Sequence, residues 1–324
     1  MKNKVLIVGL GQIGLHYDLN LNHDDYNLTH AHAFSLHNNF NLLGAVDIDK
    51  EQRNIFSNKY GLPAYSSLNA ALKTHNPDII VISSNTSKHA EILNEILQSL
   101  SPKIILCEKP LSYSLGEAQK MIDLCEKSGV SLFVNYIRRS DPGVIEIKKL
   151  IGISKFKKKY KGVCWYSKGL IHNGSHFFNL LSYWLGPMKQ FNLISDNKKR
   201  ATHNDYEPDV EVEFEKGKVL FLSAWEEYFS HYTLELLSPN GRIRYDDEGS
   251  KIQFQNVIND PVFKGYKVLN PKPIEIKANM AHYQLNVVNQ LDEYINGNMS
   301  YLCSGREALD TLTSIQKIIN KIKK

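Results

Sequence analysis

The chain has 324 residues, 42% hydrophobic and 23% charged, enough for two domains of ordinary size with an ample core. Lys and Arg number 39 against 34 Asp and Glu, and a net charge of +5 over this length is too mild to point to nucleic acid. Cys107, Cys125, Cys164 and Cys303 show no CxxC spacing, and no apolar run nears the ~20 residues of a bilayer span, so a reduced, cytoplasmic protein with no membrane partner is expected.

From Met1 to about Tyr136, short apolar runs alternate with helical stretches. The runs are Val5–Val8, Leu42–Val46, Ile79–Ser83, Ile104–Cys107 and Ser131–Val134, with amphipathic segments such as Lys88–Leu97 and Leu115–Lys127 between them. Continuous apolar strands separated by helices predict a doubly wound parallel sheet covered on both faces. Pro63, Pro77, Pro102 and Pro110 fall in the connections, where a missing backbone donor does no harm.

The first strand runs directly into Gly9-Leu10-Gly11-Gln12-Ile13-Gly14. This spacing suits a tight turn, a bare glycine under a pyrophosphate and a close helix-strand contact, with a helix amino terminus facing the phosphates. Asp47, after the second strand, is the expected partner of the adenosine ribose hydroxyls. Its charge would repel a 2′-phosphate, so NAD is favoured over NADP. Asp47 lies 33 residues after Gly14 rather than about 20. The excess reads as an insertion over Tyr17–Leu28, either a flap near the pyrophosphate or a surface excursion. The turn Ser83-Ser84-Asn85-Thr86 follows the Ile79 strand and can offer hydroxyls and backbone donors to a cofactor, or cap the next helix.

Glu108-Lys109-Pro110 ends the Ile104 strand. A residue before proline avoids the helical region, which restricts the direction of Lys109. An ammonium group there, at the edge where open sheets bind ligands, can offset developing alkoxide charge. Glu108 can pair with Lys109 or orient the loop.

After Arg139 the pattern changes. The basic run Lys155-Phe156-Lys157-Lys158-Lys159 reads as a solvated strand face. His172 and His176 stand four apart around Gly174, without the glutamate of a zinc-protease helix, so no metal is expected and a histidine there can carry a proton. Val210–Phe214 alternates strictly, and Val219–Ala224, Tyr232–Leu237 and Ile252–Phe254 extend a mostly antiparallel sheet. Helices are predicted over His282–Ile295 and from Ser304 to the carboxyl terminus.

These residues resemble the Gfo/Idh/MocA oxidoreductases. The carriers are the glycine motif, Asp47, the Ser83–Thr86 turn with His89, Glu108-Lys109-Pro110, Asn135-Tyr136-Ile137-Arg138-Arg139, and Gly174-Ser175-His176. The resemblance implies a Rossmann domain over 1–136. It also implies a substrate and oligomerisation domain over 137–324, an α/β unit with a large, mostly antiparallel sheet, whose last helix can pack back on the first domain. It implies NAD(P)-dependent hydride transfer to or from a sugar, cyclitol or nucleotide sugar, in a homodimer or homotetramer. Gly9, Gly11, Gln12, Ile13, Gly14, Asp47, Ser83, Ser84, Asn85, His89 and Glu108 are the expected cofactor-binding residues. Lys109 and His176 take the family's catalytic positions. Many members carry aspartate where this chain has His172 and Asn179, so the resemblance implies either that His172 substitutes for that aspartate or that proton transfer runs differently. Tyr136, Arg139, Trp165, Tyr166, Asn173 and Trp225 are candidates for substrate contact, beside Lys109. A regulator that keeps the dinucleotide site, or a glycosidase that uses bound NAD transiently, is the alternative within the same fold.

Overall fold

A computed structural model describes residues 2–153, 159–196 and 205–323. The core of the basic run, Lys155 to Lys158, lies outside these residues. Two compact units form: Met1–Ser140 with Ala281–Leu309, and Asp141–Met280 with Asp310–Lys324.

The first unit is built on strands β1 (Asn3–Val8), β2 (Phe40–Val46), β3 (Ala64–Tyr65), β4 (Ile79–Ile82), β5 (Ile104–Cys107) and β6 (Ser131–Val134). They pair in parallel in the order β6-β5-β4-β1-β2-β3. Helices α1 (His30–Leu36), α2 (Lys50–Tyr60), α3 (Leu68–Thr74), α4 (His89–Ser99) and α5 (Leu115–Lys127) form the connections. β4 and β5 are buried along their whole length, because helices cover both faces of a parallel sheet. Side chains start three of these helices: Asp49, Ser67 and Ser114 accept first-turn amides of α2, α3 and α5.

The second unit begins with α6 (Pro142–Gly152), β7 (Tyr160–Tyr166) and α7 (Ser175–Leu185). It continues through β8 (Met188–Ser195), β9 (Asp209–Phe214), β10 (Gly217–Ser223), β11 (Thr233–Ser238), β12 (Gly241–Asp246), β13 (Lys251–Asn259), β14 (Lys267–Leu269) and β15 (Ile274–Ile276). Their order is β14-β13-β12-β11-β7-β10-β9-β8, with β15 also on β13. Only the β7–β10 pairing is parallel among the described ladders of this sheet. Along β9, buried Val210, Val212 and Phe214 alternate with half-buried residues, so one face is core. Phe177, Phe178, Leu181 and Trp184 of α7 pack on that face with Ile147 and Ile151 of α6.

The chain then returns to the first unit with α8 (Tyr283–Ile295) and the short β16 (Cys303–Ser304), which pairs antiparallel with β6. α9 (Gly305–Ile322) starts there, and its later residues Ile315, Ile318 and Ile319 join the second unit's core. A single break at 136/137 therefore does not describe the division. The apolar faces of Val287, Val288 and Leu291 are buried against β-strand residues such as Val5 and Ile7, which brings α8 back.

The Tyr17–Leu28 insertion is not a loose excursion. The buried Asp18 carboxylate accepts from Leu28 N (2.7 Å), Thr29 N (3.0 Å), Thr29 Oγ1 (2.7 Å) and His32 Nδ1 (3.1 Å). Burial would raise this carboxyl, but the hydrogen bonds from His32, Leu28 and Thr29 outweigh it and bring it down to about 2. Asp18→Asn should cost about 2 kcal/mol of stability near neutral pH. A depressed carboxyl stabilises above its ordinary value of 3.8 and loses that contribution as pH falls toward about 2. Urea unfolding should thus separate wild type and variant at about pH 7, and the gap should narrow below about pH 4 and close only toward about 2.

Candidate active site

The parallel direction of β1, β2, β4 and β5 sets four chain segments side by side at their carboxyl ends. Gly9 follows β1, Asp47 follows β2, Ser83 follows β4 and Glu108-Lys109 follows β5. Backbone bonds lock these exits together: Gly9 N donates to Val46 O and Ser83 N to Val8 O, each at 2.8 Å, and Glu108 N donates to Ile82 O at 2.9 Å.

The three glycines of the first turn meet three different demands. Gly9 has φ +104°, and a Cβ there would lie 2.5 Å from Ser84 N. At Gly14 a Cβ would collide with Gly9 O, so the chain must be bare for the close approach. Gly11 is exposed, and a Cβ there would meet nothing within 4 Å. The space beside Gly11 is open, which fits a pyrophosphate laid against the backbone. Gln12 is exposed and Ile13 half-buried beside it. The expected helix amino terminus is a correction: Gln12–His16 forms only a five-residue π-type turn, and α1 begins at His30. The insertion interrupts the helix that usually follows such a glycine turn, so no long dipole points at this loop.

Asp47 is half-exposed. Its Oδ2 accepts from Leu10 N at 2.7 Å and Oδ1 from Asp49 N at 2.8 Å. These bonds aim the carboxylate between the glycine turn and the start of α2, and they leave acceptor capacity for two ribose hydroxyls. Ser83 Oγ donates to Gly9 O at 2.7 Å, so this hydroxyl braces the turn. Ser84 is half-buried and Asn85 exposed at the same edge. His89 is fully buried, its ring between the carbonyl oxygens of Ser84 (3.0 Å) and Leu111 (3.2 Å). It holds the edge from beneath and does not reach out to a cofactor.

Glu108 is likewise drawn inward. Its Oε1 accepts from His30 Nε2 at 2.8 Å and from Asn135 Nδ2 at 2.6 Å, and Oε2 accepts from Lys109 N at 3.3 Å. Burial would push this carboxyl up; the hydrogen bonds from His30 and Asn135 and the Lys109 charge hold it below its ordinary value. A direct cofactor contact through this carboxylate is thus replaced by an internal role. Lys109 is half-buried, and its peptide to Pro110 is cis. Burial lowers the ammonium's proton affinity, Glu108 raises it and Arg138 lowers it, for a net value of about 8.

In the second unit, His172 lies in a π-type turn, Gly169–Gly174, and His176 is the second residue of α7. Asp205, which the sequence reading missed, organises this turn. Its Oδ2 accepts from Ile171 N (2.7 Å), His172 N (3.0 Å) and His172 Nδ1 (3.2 Å). Glu207 Oε1 accepts from Gly169 N at 2.9 Å. Asp205 is buried, while the His172 side chain is 42% exposed. No local motif marks Asp205, because it is 33 residues from its partner. His176 is buried at the start of α7.

The substrate candidates divide. Tyr166 is fully buried and its hydroxyl donates to Pro208 O at 2.6 Å, so its expected substrate contact is a core contact instead. Arg139 is buried with Nη2 donating to Glu307 Oε1 at 2.8 Å, a brace toward α9 rather than a ligand clamp. Tyr136 is buried as well. Asn173 Nδ2 donates to Tyr232 Oη at 2.7 Å, Trp165 is half-exposed and Trp225 is exposed. Among the described residues no group of three or more His, Cys, Asp or Glu side chains could hold a metal, and no helix is long and apolar enough to cross a membrane.

Gly169 permits the Asp205 contact: its φ is +79°, and a Cβ would fall on the Asp205 carboxylate. Gly169→Ala should expel Asp205 and cost about 2–4 kcal/mol, read by urea unfolding, with faster amide exchange at Ile171 and His172.

Comparison with known proteins agrees with this geometry. Residues 3–136 match the model of an oxidoreductase family with an NAD-binding Rossmann fold, GFO_IDH_MocA. Myo-inositol 2-dehydrogenase from Thermotoga maritima is 26% identical over 149 residues, 46% of this chain and 40% of that protein. The chain thus matches about two fifths of that relative's length. Among solved structures, an NAD binding oxidoreductase from Klebsiella pneumoniae aligns with TM-score 0.80 at 14% identity, covering 99% of this chain and 96% of the other. The WlbA dehydrogenase from Bordetella pertussis, in complex with NADH and UDP-GlcNAcA, aligns with TM-score 0.73 at 17% identity, over 100% and 97% of the two chains. Residues 3–136, which carry the glycine turn, Asp47 and Lys109 on one sheet edge, are thus similar to the NAD-binding Rossmann part of the Gfo/Idh/MocA oxidoreductases.

Proposed function

We propose that this protein is an NAD-dependent dehydrogenase or reductase acting on an alcohol or ketone of a sugar, cyclitol or nucleotide sugar. The observation that carries the reading is Lys109, an ammonium of lowered proton affinity at the end of β5, on the sheet edge that also bears an open glycine turn and Asp47. The inositol substrate named for the Thermotoga relative and the nucleotide sugar in the WlbA structure support a polyhydroxylated substrate. Bound NAD would supply the hydride acceptor, held by the Gly9–Gly14 turn and Asp47.

The chain's own part is electrostatic and protonic. Lys109 donates to the substrate oxygen and offsets alkoxide charge as it develops. The family resemblance assigns the accompanying proton to a histidine of the second unit, and His172, whose Nδ1 is held by Asp205, is one candidate. His176 is the second residue assigned to this task. A homodimer or homotetramer in the cytoplasm belongs to the same reading. Four free thiols support a reducing compartment, and the exposed side chains of Tyr228, Val262, Phe263 and Tyr266 support association.

The direct test is a screen of sugars, cyclitols and nucleotide sugars that follows nicotinamide absorbance. With a substrate in hand, Lys109→Ala should lower kcat by at least about 100-fold while NAD affinity stays within about threefold. The donating form of Lys109 is the protonated one, so it is present below about 8 and lost above. In the ketone-reducing direction kcat/KM should therefore fall as pH rises through about 8, and Lys109→Arg should lack that limb. Unchanged turnover in Lys109→Ala removes the lysine from the chemistry.

Asp47→Ala should weaken NAD at least about tenfold and NADP much less, measured by nicotinamide fluorescence titration. Equal losses for the two would sink the ribose assignment.

A further inference from the structure

His30, Glu108, Asn135 and Gln284 come from four distant points of the sequence and close a hydrogen-bonded ring inside the first unit. His30 and Gln284 are 0% exposed, Asn135 2% and Glu108 9%. Asn135 Nδ2 donates to Glu108 Oε1 at 2.6 Å and to Gln284 Oε1 at 3.1 Å. A carboxylate only accepts, so this amide direction is fixed. Gln284 therefore turns its Nε2 to His30 Nδ1, at 2.8 Å. His30 Nδ1 is then the bare acceptor, and Nε2–H donates to Glu108 Oε1 at 2.8 Å. Two of the ring's donors, His30 Nε2 and Asn135 Nδ2, converge on the Glu108 carboxylate, and Gln284 sets the direction of both.

Two local devices bring the ring together. The Asp18 knot ends the insertion at Leu28 and Thr29 and so fixes the first turn of α1, which carries His30. Asn27 N donates to Ala281 O at 2.9 Å and Gln284 N donates to Asn27 O at 3.2 Å, which sets α8 beside the end of the insertion. Neither His30 nor Gln284 belongs to the glycine motif or to the catalytic assignment, yet both are wholly buried polar side chains committed to the neighbour of Lys109.

We propose that His30 and Gln284 are positioning residues for Lys109, acting through the Glu108 carboxylate, and that the Tyr17–Leu28 insertion, tied by Asp18, delivers His30 to it. The proposal rests on the role given to Lys109 above. The charged and titratable groups around the pair are Arg138 beside Lys109, and His30, Tyr283 and Cys107 beside Glu108. Burial opposes the Glu108 charge, and the donated hydrogen bonds keep it. Without them Glu108 takes up a proton more readily and no longer supports the ammonium. Loss of Gln284 frees the His30 tautomer, and a bare Nε2 facing Oε1 would repel it.

The test needs no substrate. In full-length protein with isotope-labelled lysine and histidine, the Lys109 signal is the one lost in Lys109→Arg, and its titration midpoint should lie near 8. The midpoint should fall by about one unit or more in His30→Ala and in Gln284→Leu. It should return to within about half a unit of wild type in His30→Gln, whose amide can donate to Glu108 and accept from Gln284. In the unmutated protein, nitrogen NMR should show neutral His30 as the Nε2–H tautomer. An Nδ1–H tautomer overturns the proposal even if no variant folds. Folded His30→Ala and Gln284→Leu proteins with an unmoved Lys109 midpoint overturn it too. Because both readouts are independent of turnover, either result leaves the dehydrogenase reading to stand or fall on the substrate screen.

Discussion

A carboxylate sealed at the end of β5 is the constraint on which the chemistry of the first unit depends. Glu108 is buried where the sheet edge needs an acceptor, and three side chains and a backbone amide act to keep its charge in place. Burying a lone ionised group costs several kcal/mol, so it persists only where donors replace the lost water. The next residue, Lys109, feels both sides of that balance: the same burial that threatens the carboxylate lowers the ammonium, and the preserved carboxylate restores part of it. A lysine near 8 is a better proton donor than an ordinary one and remains mostly charged at neutral pH. The apolar run of β5, the inward-facing network and the Lys109 ammonium are thus one arrangement.

The insertion changes how the nucleotide edge is built. A helix running straight from the glycine turn would add its dipole to the phosphate region. Here the chain makes a short π-type turn, leaves through the insertion and starts α1 only at His30. What this edge retains is open space at Gly11 and an Asp47 carboxylate bonded to Leu10 N. The second unit shows a comparable use of a distant acid. Asp205 caps the Gly169–Gly174 turn and bonds Nδ1 of the half-buried His172, which restricts the tautomer of that ring.

The legible parts of the sequence were those with local causes. β5 and β6 fall on the apolar runs from which they were read, and α5 spans Leu115–Lys127, the amphipathic stretch read from the sequence. The glycine turn and Asp47 were readable because backbone sterics and a strand end fix both. β7, β8 and β12 escaped notice because their mixed, partly solvated patterns resemble loops until neighbouring strands pair with them. Tyr166 and Arg139 read as ligand-binding types but serve a core hydrogen bond and an ion pair, since residue type does not reveal a partner.

The sequence by itself therefore determined the parallel sheet, its glycine turn, and the acid and lysine at the strand ends, because periodicity and chain stereochemistry act over a few residues. Only the tertiary structure decided that His30 and Gln284 meet Glu108, that Asp205 holds His172, and that Ala281–Leu309 rejoins the first unit. Those outcomes depend on buried polar groups finding donors and acceptors across 33 to 254 residues of chain, and desolvation enforces such matches only once the core has closed around them.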